Sequence, residues 1–418
     1  MNQPFFISIV LDTRRLKSNG KYPVKLRVFT STPRKQKLYP TKFDFTKDEF
    51  ESIWESLRPR GENKKLKKQI QAIEVKANEV AEKITPFSFE QFEKKLFQKK
   101  GEGIKVSYQF SNKIEALKDR NQISTANTYE LSEKSIISFL KHNKKTNYNS
   151  LILTEITSSW LNDYENYMLN IKGRSQTTIG IYLRNLRALF NIAISDKEIK
   201  QEDYPFGKNK YQIPKTRNVK KALTKEELKT FYYSEPKTKE QEKAKDFWFL
   251  SYACNGMNIK DIALLKVGDL KQDRIEFYRA KTRLTSKSNL KTITIFLNDS
   301  IKETIEKYRS KNINPNDYLF DILNINLSPV EKQKKIKNFT RFVNQHIKKI
   351  AIDNELPKEI SSYWARHSFA SIGIKQGASM EFMQESLGHG NISTTQSYFS
   401  GFDSDTKKEF ANSIMDFK

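Results

Sequence analysis

The stretch that decides the fold is residues 361–402, SSYWARHSFASIGIKQGASMEFMQESLGHGNISTTQSYFSGF. It contains Arg366, His389 and Tyr398, and side chains of these three types can act on a phosphodiester. Arginine and histidine neutralise charge that develops on phosphate oxygens, and a tyrosine hydroxyl can serve as the nucleophile. Each residue alone has an ordinary structural explanation, so the significance lies in their order and spacing.

The composition of the whole chain indicates a polyanionic partner. The chain has 418 residues, with 75 Lys and Arg against 49 Asp and Glu, a formal net charge of +26. The basic excess is spread over residues 1–104, 105–214 and 215–418 rather than confined to one tail. This distribution favours a protein that contacts nucleic acid along much of its length, and the alternative is a set of solvated lysine-rich faces. At 37% hydrophobic residues, the chain can form cores for two to four domains.

Several classes of protein are excluded by what the sequence lacks. The longest apolar run, residues 247–254, is too short to span a bilayer, and the N-terminus has no features of a signal peptide. The single cysteine, Cys254, excludes a disulfide framework, and the four histidines show no metal-ligand spacing. No phosphate-binding glycine loop is present. We therefore expect a soluble cytoplasmic protein that acts without metal, nucleotide or other cofactor.

The N-terminal region is predicted to be a small sheet. Three runs of apolar residues predict strands, at 5–11, 22–29 and 37–45. Asn19-Gly20 is a strong hairpin signal between the first two strands. Strand alternation places Lys25 and Arg27 on one face and the aliphatic residues on the other. With Lys37, these residues are candidate DNA contacts, although an ordinary half-solvated sheet explains them equally well.

The middle of the chain is predicted to be helical. Residues 62–84 carry a heptad seam that can pack either on its own domain or on a neighbouring protomer. Residues 105–205 contain two aromatic stripes, one of which runs from Trp160 to Ile171, and both are interpreted as core. A basic linker then follows at residues 204–221. The candidate DNA contacts of the helices and the linker are Lys172, Arg174, Arg184, Arg187, Lys215 and Arg217.

A further domain is predicted from residue 215 to the C-terminus. Thr224 and Glu227 form a capping-box pattern that opens its first helix. Strands are predicted at residues 274–279 and 291–296, with helices elsewhere. The last segment, residues 406–417, has apolar residues at helical spacing and can dock on a neighbouring subunit.

The runs ARHSFA and LGHGNISTTQSYF resemble the tyrosine recombinase, or phage integrase, family, especially integrases of mobile elements in Bacteroidetes-type bacteria. The resemblance covers the whole chain and implies a multidomain, mainly α fold with small β-sheets. It implies a β-sheet arm-type DNA-binding domain with a linker helix (residues 1–104), a helical SAM-like core-binding domain with the basic linker (residues 105–214), and an α+β catalytic domain (residues 215–418).

The resemblance also implies roles for particular residues. Tyr398 corresponds to the nucleophile that attacks the scissile phosphate, and Arg366 to the second arginine of the family, which clamps the non-bridging oxygens. His389 corresponds to a histidine that forms a hydrogen bond with the phosphate. Lys281 corresponds to the hairpin lysine that protonates the leaving 5′-hydroxyl.

Two positions depart from the family pattern. Tyr363 stands where the family usually has a histidine, and a tyrosine with a pKa near 10 is a poor base at neutral pH. The first arginine of the family is absent from residues 254–261, CNGMNIKD. Because the loss of such a contact costs several kcal/mol of transition-state stabilisation, either another cation substitutes or the enzyme is impaired.

Arg279 is the candidate substitute for the absent arginine. It precedes Lys281 by two residues on the same predicted strand, so both side chains are expected to point to one face. Arg283 has the same parity but lies nearer the turn, and Lys260 is a weaker third choice.

The activity implied by the resemblance is site-specific integration, excision or inversion of a mobile element. Double-stranded DNA with arm and core sites is the implied substrate. The reaction passes through a 3′-phosphotyrosyl link and a Holliday junction, in a homotetramer on DNA, with a possible host DNA-bending factor. Two alternatives are a type IB topoisomerase, which relaxes rather than exchanges strands, and a catalytically impaired DNA-binding regulator.

Overall fold

The computed structural model describes most of the chain: residues 5–98, 101–143, 147–214, 222–281, 291–311, 314–398, 408 and 411–414. These residues are mainly helical and include two small antiparallel sheets, which confirms the predicted fold class. The chain divides into two compact units. The first comprises Met1–Gln109, Leu140–Leu161 and Ala188–Pro205. The second comprises Phe110–Phe139, Asn162–Arg187 and Phe206–Lys418.

The N-terminal sheet has three strands in the order β1-β2-β3. They are β1 (Phe5–Leu11), β2 (Tyr22–Ser31) and β3 (Arg34–Phe45). All three predicted strands are present, and β3 begins three residues earlier than predicted. Alternation decides which face is buried: Val24, Leu26 and Val28 lie in the core, whereas Arg27 is exposed.

Three helices cover the buried face of this sheet: α1 (Lys47–Phe50), α2 (Gly61–Glu82) and α3 (Phe89–Phe97). A capping box starts α1, because Thr46 Oγ1 accepts a hydrogen bond from the Glu49 amide at 3.1 Å. The heptad seam of α2 is buried at Ile70 and Ala77, in one apolar cluster with strand residues. Of the two alternatives for the seam, the structure therefore shows packing within its own domain.

The next segment is formed by four helices: α4 (Val106–Asp119), α5 (Ile123–Asn143), α6 (Ser158–Asn166) and α7 (Gln176–Ser195). Tyr164 and Tyr167 are buried, as predicted for the first aromatic stripe. The inclusion of Ile171 in that stripe was wrong, since its side chain is 59% exposed. Residues Tyr167–Ile171 form a π-helical turn, which breaks the 3.6-residue periodicity on which the prediction depended.

The C-terminal part of the second unit has eight helices among the described residues. They are α8 (Lys225–Tyr233), α9 (Lys239–Ala253), α10 (Ile259–Leu264), α11 (Asp299–Tyr308), α12 (Pro329–Asp353), α13 (Ser362–Lys375), α14 (Met380–Ser386) and α15 (Ile392–Gln396). Helix α8 begins with the predicted capping box of Thr224 and Glu227. Phe247 and Trp248 of α9 are buried in a large apolar cluster that also includes Val343 of α12. This core supports α13, which carries Arg366.

A two-stranded sheet pairs β4 (Arg274–Phe277) with β5 (Ile293–Phe296). The strand predicted for residues 274–279 is therefore two residues too long. Past Phe277 the chain turns, and the Ala280 amide donates to Asp261 Oδ1 at 2.9 Å instead of to a neighbouring strand. In the described part of the chain, no helix has the length and hydropathy needed to cross a membrane.

Candidate active site

Arg366 is the centre of the site. It lies on α13 and is 3% exposed. Its Nη1 donates to the Gly256 carbonyl oxygen at 3.0 Å, and its Nη2 donates to the Leu387 carbonyl oxygen and contacts His389 Nε2 at 3.0 Å. Burial lowers the pKa of the Arg366 guanidinium, and the charge of the nearby Arg279 lowers it further. The arginine therefore joins three separate segments of the second unit at one point.

Gly256 allows the chain to approach Arg366 closely. Its φ of +65° is in the left-handed region, and a Cβ atom at this position would lie 2.7 Å from Arg366 Cα. Both the conformation and the space thus require glycine where the chain leaves α9. This turn belongs to the segment that lacks the first arginine of the family.

We expect Gly256→Ala to displace Arg366 and to destabilise the fold. A Cβ atom in this backbone conformation and within contact distance of backbone should cost about 2 kcal/mol of the free energy of unfolding. The urea midpoint and the rate of DNA cleavage should both fall. Gly377→Ala is the matched control, since Gly377 also has a positive φ but open space at its Cβ position. Equal effects of the two substitutions would contradict the role given to the close approach.

His389 follows α14 and has a fixed ring orientation. Its Nδ1 lies 2.9 Å from Thr395 Oγ1, and its Nε2 faces Arg366. Because a guanidinium has only donors, Nε2 must be the acceptor in this contact. The neutral ring therefore carries its hydrogen on Nδ1, which donates to Thr395. The side chain is buried and is held from both edges.

Tyr398 lies just after α15, with its ring among aromatic neighbours. The ring centroid is 5.1 Å from that of His367 and 5.7 Å from that of His389. Its hydroxyl lies near Arg366 and Tyr363, and both of them shift its pKa. Burial and the Tyr363 hydroxyl raise the pKa of Tyr398 to about 12, while Arg366 opposes this shift. The tyrosine is thus protonated at neutral pH in the free protein.

Tyr363 and His367 complete the surroundings of Tyr398. They are separated by one turn of α13, and their ring centroids are 4.6 Å apart in an edge-to-face arrangement. Tyr363 is half-exposed, whereas His367 is buried. Its four-residue spacing from Tyr363 was the available signal that it would lie on the same face of the helix.

The candidates on and beyond β4 occupy different places. Arg279 reaches the site, where its Nη1 donates to the Gly388 carbonyl oxygen at 3.4 Å. Lys281 lies exposed in the following turn. Because the strand ends at Phe277, the argument that Arg279 and Lys281 share one face of a strand was wrong. Lys260 is exposed on α10, and Arg283 lies outside the described residues.

The candidate DNA contacts also separate. Lys25 and Arg27 share the outer face of the N-terminal sheet, as predicted. Lys37 does not join them: it is paired with the buried Val28 and forms an ion pair with Glu93 of α3 at 2.6 Å. The cations predicted in the helical segment are all exposed, namely Lys172, Arg174, Arg184 and Arg187. Lys215 and Arg217 lie outside the described residues.

Comparisons with known proteins match all three parts of the chain. The phage integrase family model matches residues 221–404, the phage integrase SAM-like domain model matches residues 105–213, and the Arm DNA-binding domain model matches residues 9–93. Together these matches account for most of the chain.

Named relatives and one solved structure agree with these matches. Tyrosine recombinase XerD of Oceanobacillus iheyensis is 25% identical over 66% of this chain and 86% of its own length. Tyrosine recombinase XerA of Thermococcus kodakarensis is 27% identical over 55% of this chain and 73% of its own. The Tn1549 transposon integrase in complex with a circular intermediate DNA has a similar fold, with a TM-score of 0.50 and 18% identity over 74% of this chain and 99% of the other.

The fold and the matched relatives define a DNA recombinase of the tyrosine class. The chain belongs to the phage integrase family. The reaction of this class is site-specific recombination, and the comparisons do not favour the alternatives of a type IB topoisomerase or an impaired regulator.

Proposed function

We propose that this recombinase cleaves and rejoins DNA by a reaction centred on Tyr398. The Tyr398 oxygen forms a bond with the scissile phosphorus, and the bond to the 5′ oxygen breaks. The phenolic proton passes to water, and the departing 5′ oxygen takes up a proton from Lys281 to become a hydroxyl. A 5′-hydroxyl of the partner strand then attacks the phosphotyrosyl link and restores Tyr398. Since one phosphodiester replaces another, no external energy source is required.

The observation that carries this proposal is an unsatisfied donor beside the tyrosine. Within the described part of the chain, the buried Nε of Arg366 has no hydrogen-bond acceptor. A buried guanidinium donor without an acceptor is costly, and a phosphate oxygen is a geometrically suitable acceptor for it. The Tyr398 hydroxyl lies near the same guanidinium, whose charge lowers the pKa of this hydroxyl. A phosphate bound by Arg366 would therefore lie next to the nucleophile.

The other residues act on the phosphate and on the leaving group. When DNA binds, His389 exchanges its contact with Arg366 for a hydrogen bond from Nε2 to a non-bridging oxygen, and Nδ1 then accepts from the Thr395 hydroxyl. Tyr363 donates a hydrogen bond from its hydroxyl rather than acting as a base. Lys281, in the turn after β4, protonates the leaving 5′ oxygen. No metal, nucleotide or other cofactor takes part in these steps.

Arg279 takes the place of the absent first arginine. Its Nη1 donates to the Gly388 carbonyl oxygen, beside His389, and its charge lowers the pKa of Arg366. A phosphate bound between the two guanidinium groups would be stabilised by both. We expect Arg279→Ala to reduce cleavage of a suicide DNA substrate by about 10²-fold. Lys281→Ala should reduce it similarly, with rescue by a substrate that has a better leaving group. The exposed Lys260 provides the control, Lys260→Ala. Near-wild-type cleavage by Arg279→Ala would refute the proposal that Arg279 replaces the absent arginine.

The rest of the chain holds the DNA. We assign arm-site binding to residues 1–104, core-site binding to residues 105–214 and strand exchange to residues 215–418. Lys25 and Arg27 contact the arm site. The exposed cations of the helical domain contact the core site, namely Lys172, Arg174, Arg184 and Arg187. Lys215 and Arg217 of the basic linker contact it as well. The complex forms in the bacterial cytoplasm on nucleoid DNA, where a host DNA-bending protein can bring arm and core sites together.

The active species is a homotetramer that passes through a Holliday junction. Residues 411–414 are all exposed, including Ile414. A groove of about 420 Å³ in the catalytic domain is lined by Tyr232, Tyr233 and Phe249, with Lys225 at its edge. This groove provides an apolar, cationic surface for the C-terminal segment of a second copy. That segment carries apolar residues together with the acidic Glu409 and Asp416.

Deletion of residues 406–417 should abolish synapsis, because the segment no longer docks on the neighbouring subunit. Binding of a single arm site should persist, since the N-terminal sheet is untouched. Native gels with one and with two DNA sites measure both properties. Tyr233→Ala, on the acceptor side, should reproduce the defect. Intact synapsis after the deletion would contradict the proposal.

A plasmid assay tests the function as a whole. The plasmid carries two copies of the DNA that flanks the gene, and it is incubated with the full chain. Recombinant circles are the expected products. Relaxation without recombinants would support topoisomerase activity instead, and binding without any change in the DNA would support a regulator.

A further inference from the structure

The outer face of the N-terminal sheet carries an aromatic pair that the strand-exchange reaction does not use. Phe6 of β1 and Phe29 of β2 are cross-strand partners, with ring centroids 6.2 Å apart. Phe6 is 57% exposed. Such a pair stabilises a sheet by only about 0.2–1 kcal/mol. Phe29 is partly buried, and an exposed phenylalanine beside a second ring on a sheet face is less ordinary than a lone one.

Cations share this face with the aromatic pair. The next outward row joins Ser8 and Arg27, and Arg27 Nε donates to Ser8 Oγ at 3.0 Å. The following row joins Val10 and Lys25. Asp12, in the turn that follows β1, already forms an ion pair with Arg14. The face with Arg27 and Lys25 is therefore cationic. This charge favours DNA over a protein as the molecule that covers the aromatic pair.

The geometry of the β1–β2 ribbon suits base reading. The two strands belong to a three-stranded sheet, and a sheet can present one face to the major groove of B-DNA as a two-stranded ribbon does. Successive outward rows lie about 6.8 Å apart, which is close to the rise of two base pairs. An arginine in the groove recognises guanine, whereas an apolar side chain contacts the C5 methyl group of thymine. Arg27 and the Phe6–Phe29 pair thus offer two different base contacts at neighbouring positions.

We infer that Phe6 and Phe29 read thymine methyl groups in the arm site, beside a base contacted by Arg27. This inference rests on the proposed binding of DNA by residues 1–104 and gives that binding a base preference. Each methyl group contacted should strengthen binding about fourfold, the effect of burying one such group.

The test uses one mixed-sequence duplex made with thymine and again with uracil, which lacks only the methyl group. The full chain should bind the thymine duplex about fourfold more tightly per methyl group contacted. The double variant Phe6→Ala, Phe29→Ala should bind both duplexes equally. Leu57→Ala removes an exposed apolar side chain away from the sheet and should keep the preference.

Arg27→Ala separates this inference from the proposed arm function. One outcome is that Arg27→Ala binds both duplexes more weakly while the wild type shows no preference for thymine. This outcome would overturn only the inference, and the aromatic pair would then be assigned to contact with another protein. Unchanged binding by Arg27→Ala would overturn the arm function too. Because the wild-type comparison needs no substitution, misfolding of a variant cannot obscure the result.

Discussion

Tyr398→Phe is expected to abolish the covalent protein–DNA complex while leaving DNA binding unchanged. The substitution removes the oxygen that would attack the phosphate but keeps the ring, whose contacts with His367 and His389 preserve the local packing. Loss of a nucleophile that acts in concert with other groups lowers the rate by about 10⁴-fold or more. A nicked suicide substrate traps the complex of the wild type for detection on a denaturing gel.

Tyr363→Phe is the matched control for this experiment. It removes a neighbouring hydroxyl from the same site and also keeps its ring, which contacts His367. Since Tyr363 is assigned only a hydrogen bond to the phosphate, this variant should still form the complex, about tenfold more slowly. A covalent complex that persists in Tyr398→Phe would exclude Tyr398 as the nucleophile.

Arg366→Ala is expected to have the second-largest effect. Removing one fixed donor to a transition-state oxygen costs about 10²–10³-fold in rate, and a guanidinium supplies more than one such donor. The substitution also leaves the carbonyl oxygens of Gly256 and Leu387 without their buried donor. The free energy of unfolding should therefore fall by about 2–4 kcal/mol.

Arg366→Lys separates the loss of cleavage from the loss of stability. Lysine keeps the charge but lacks the planar fork that bridges two oxygens. This variant should recover part of the stability, measured by the urea midpoint, and little of the cleavage rate. Arg309→Ala, which breaks an ion pair with Glu306 on a solvent-accessible part of the same domain, provides the control. Wild-type cleavage by Arg366→Lys would show that charge alone suffices.

Features encoded by local sequence could be predicted. The alternation of Val24 to Val28 gave the buried and exposed faces of β2, because side chains in a strand point to opposite faces in turn. The capping box at Thr224 predicted the start of α8, since this pattern satisfies the same backbone donors wherever it occurs. The motif around Arg366 indicated which residues meet in the site.

Features that depend on distant partners could not be predicted. Lys37 faces the helices because it forms an ion pair with Glu93, which lies far along the chain. Strand β4 ends early because the Asp261 carboxylate binds the Ala280 amide. The contact of His367 with Tyr398 depends on the placement of α15 against α13, which no local pattern encodes.

Peptide mapping of the covalent complex tests the central claim most directly. The complex is trapped on a suicide substrate and digested with protease and nuclease, and the nucleotide-bearing peptide is sequenced by mass spectrometry. We predict a nucleotide joined through a 3′-phosphate to Tyr398. A nucleotide on Tyr363 or on any other residue would contradict the proposed role of Tyr398 as the nucleophile.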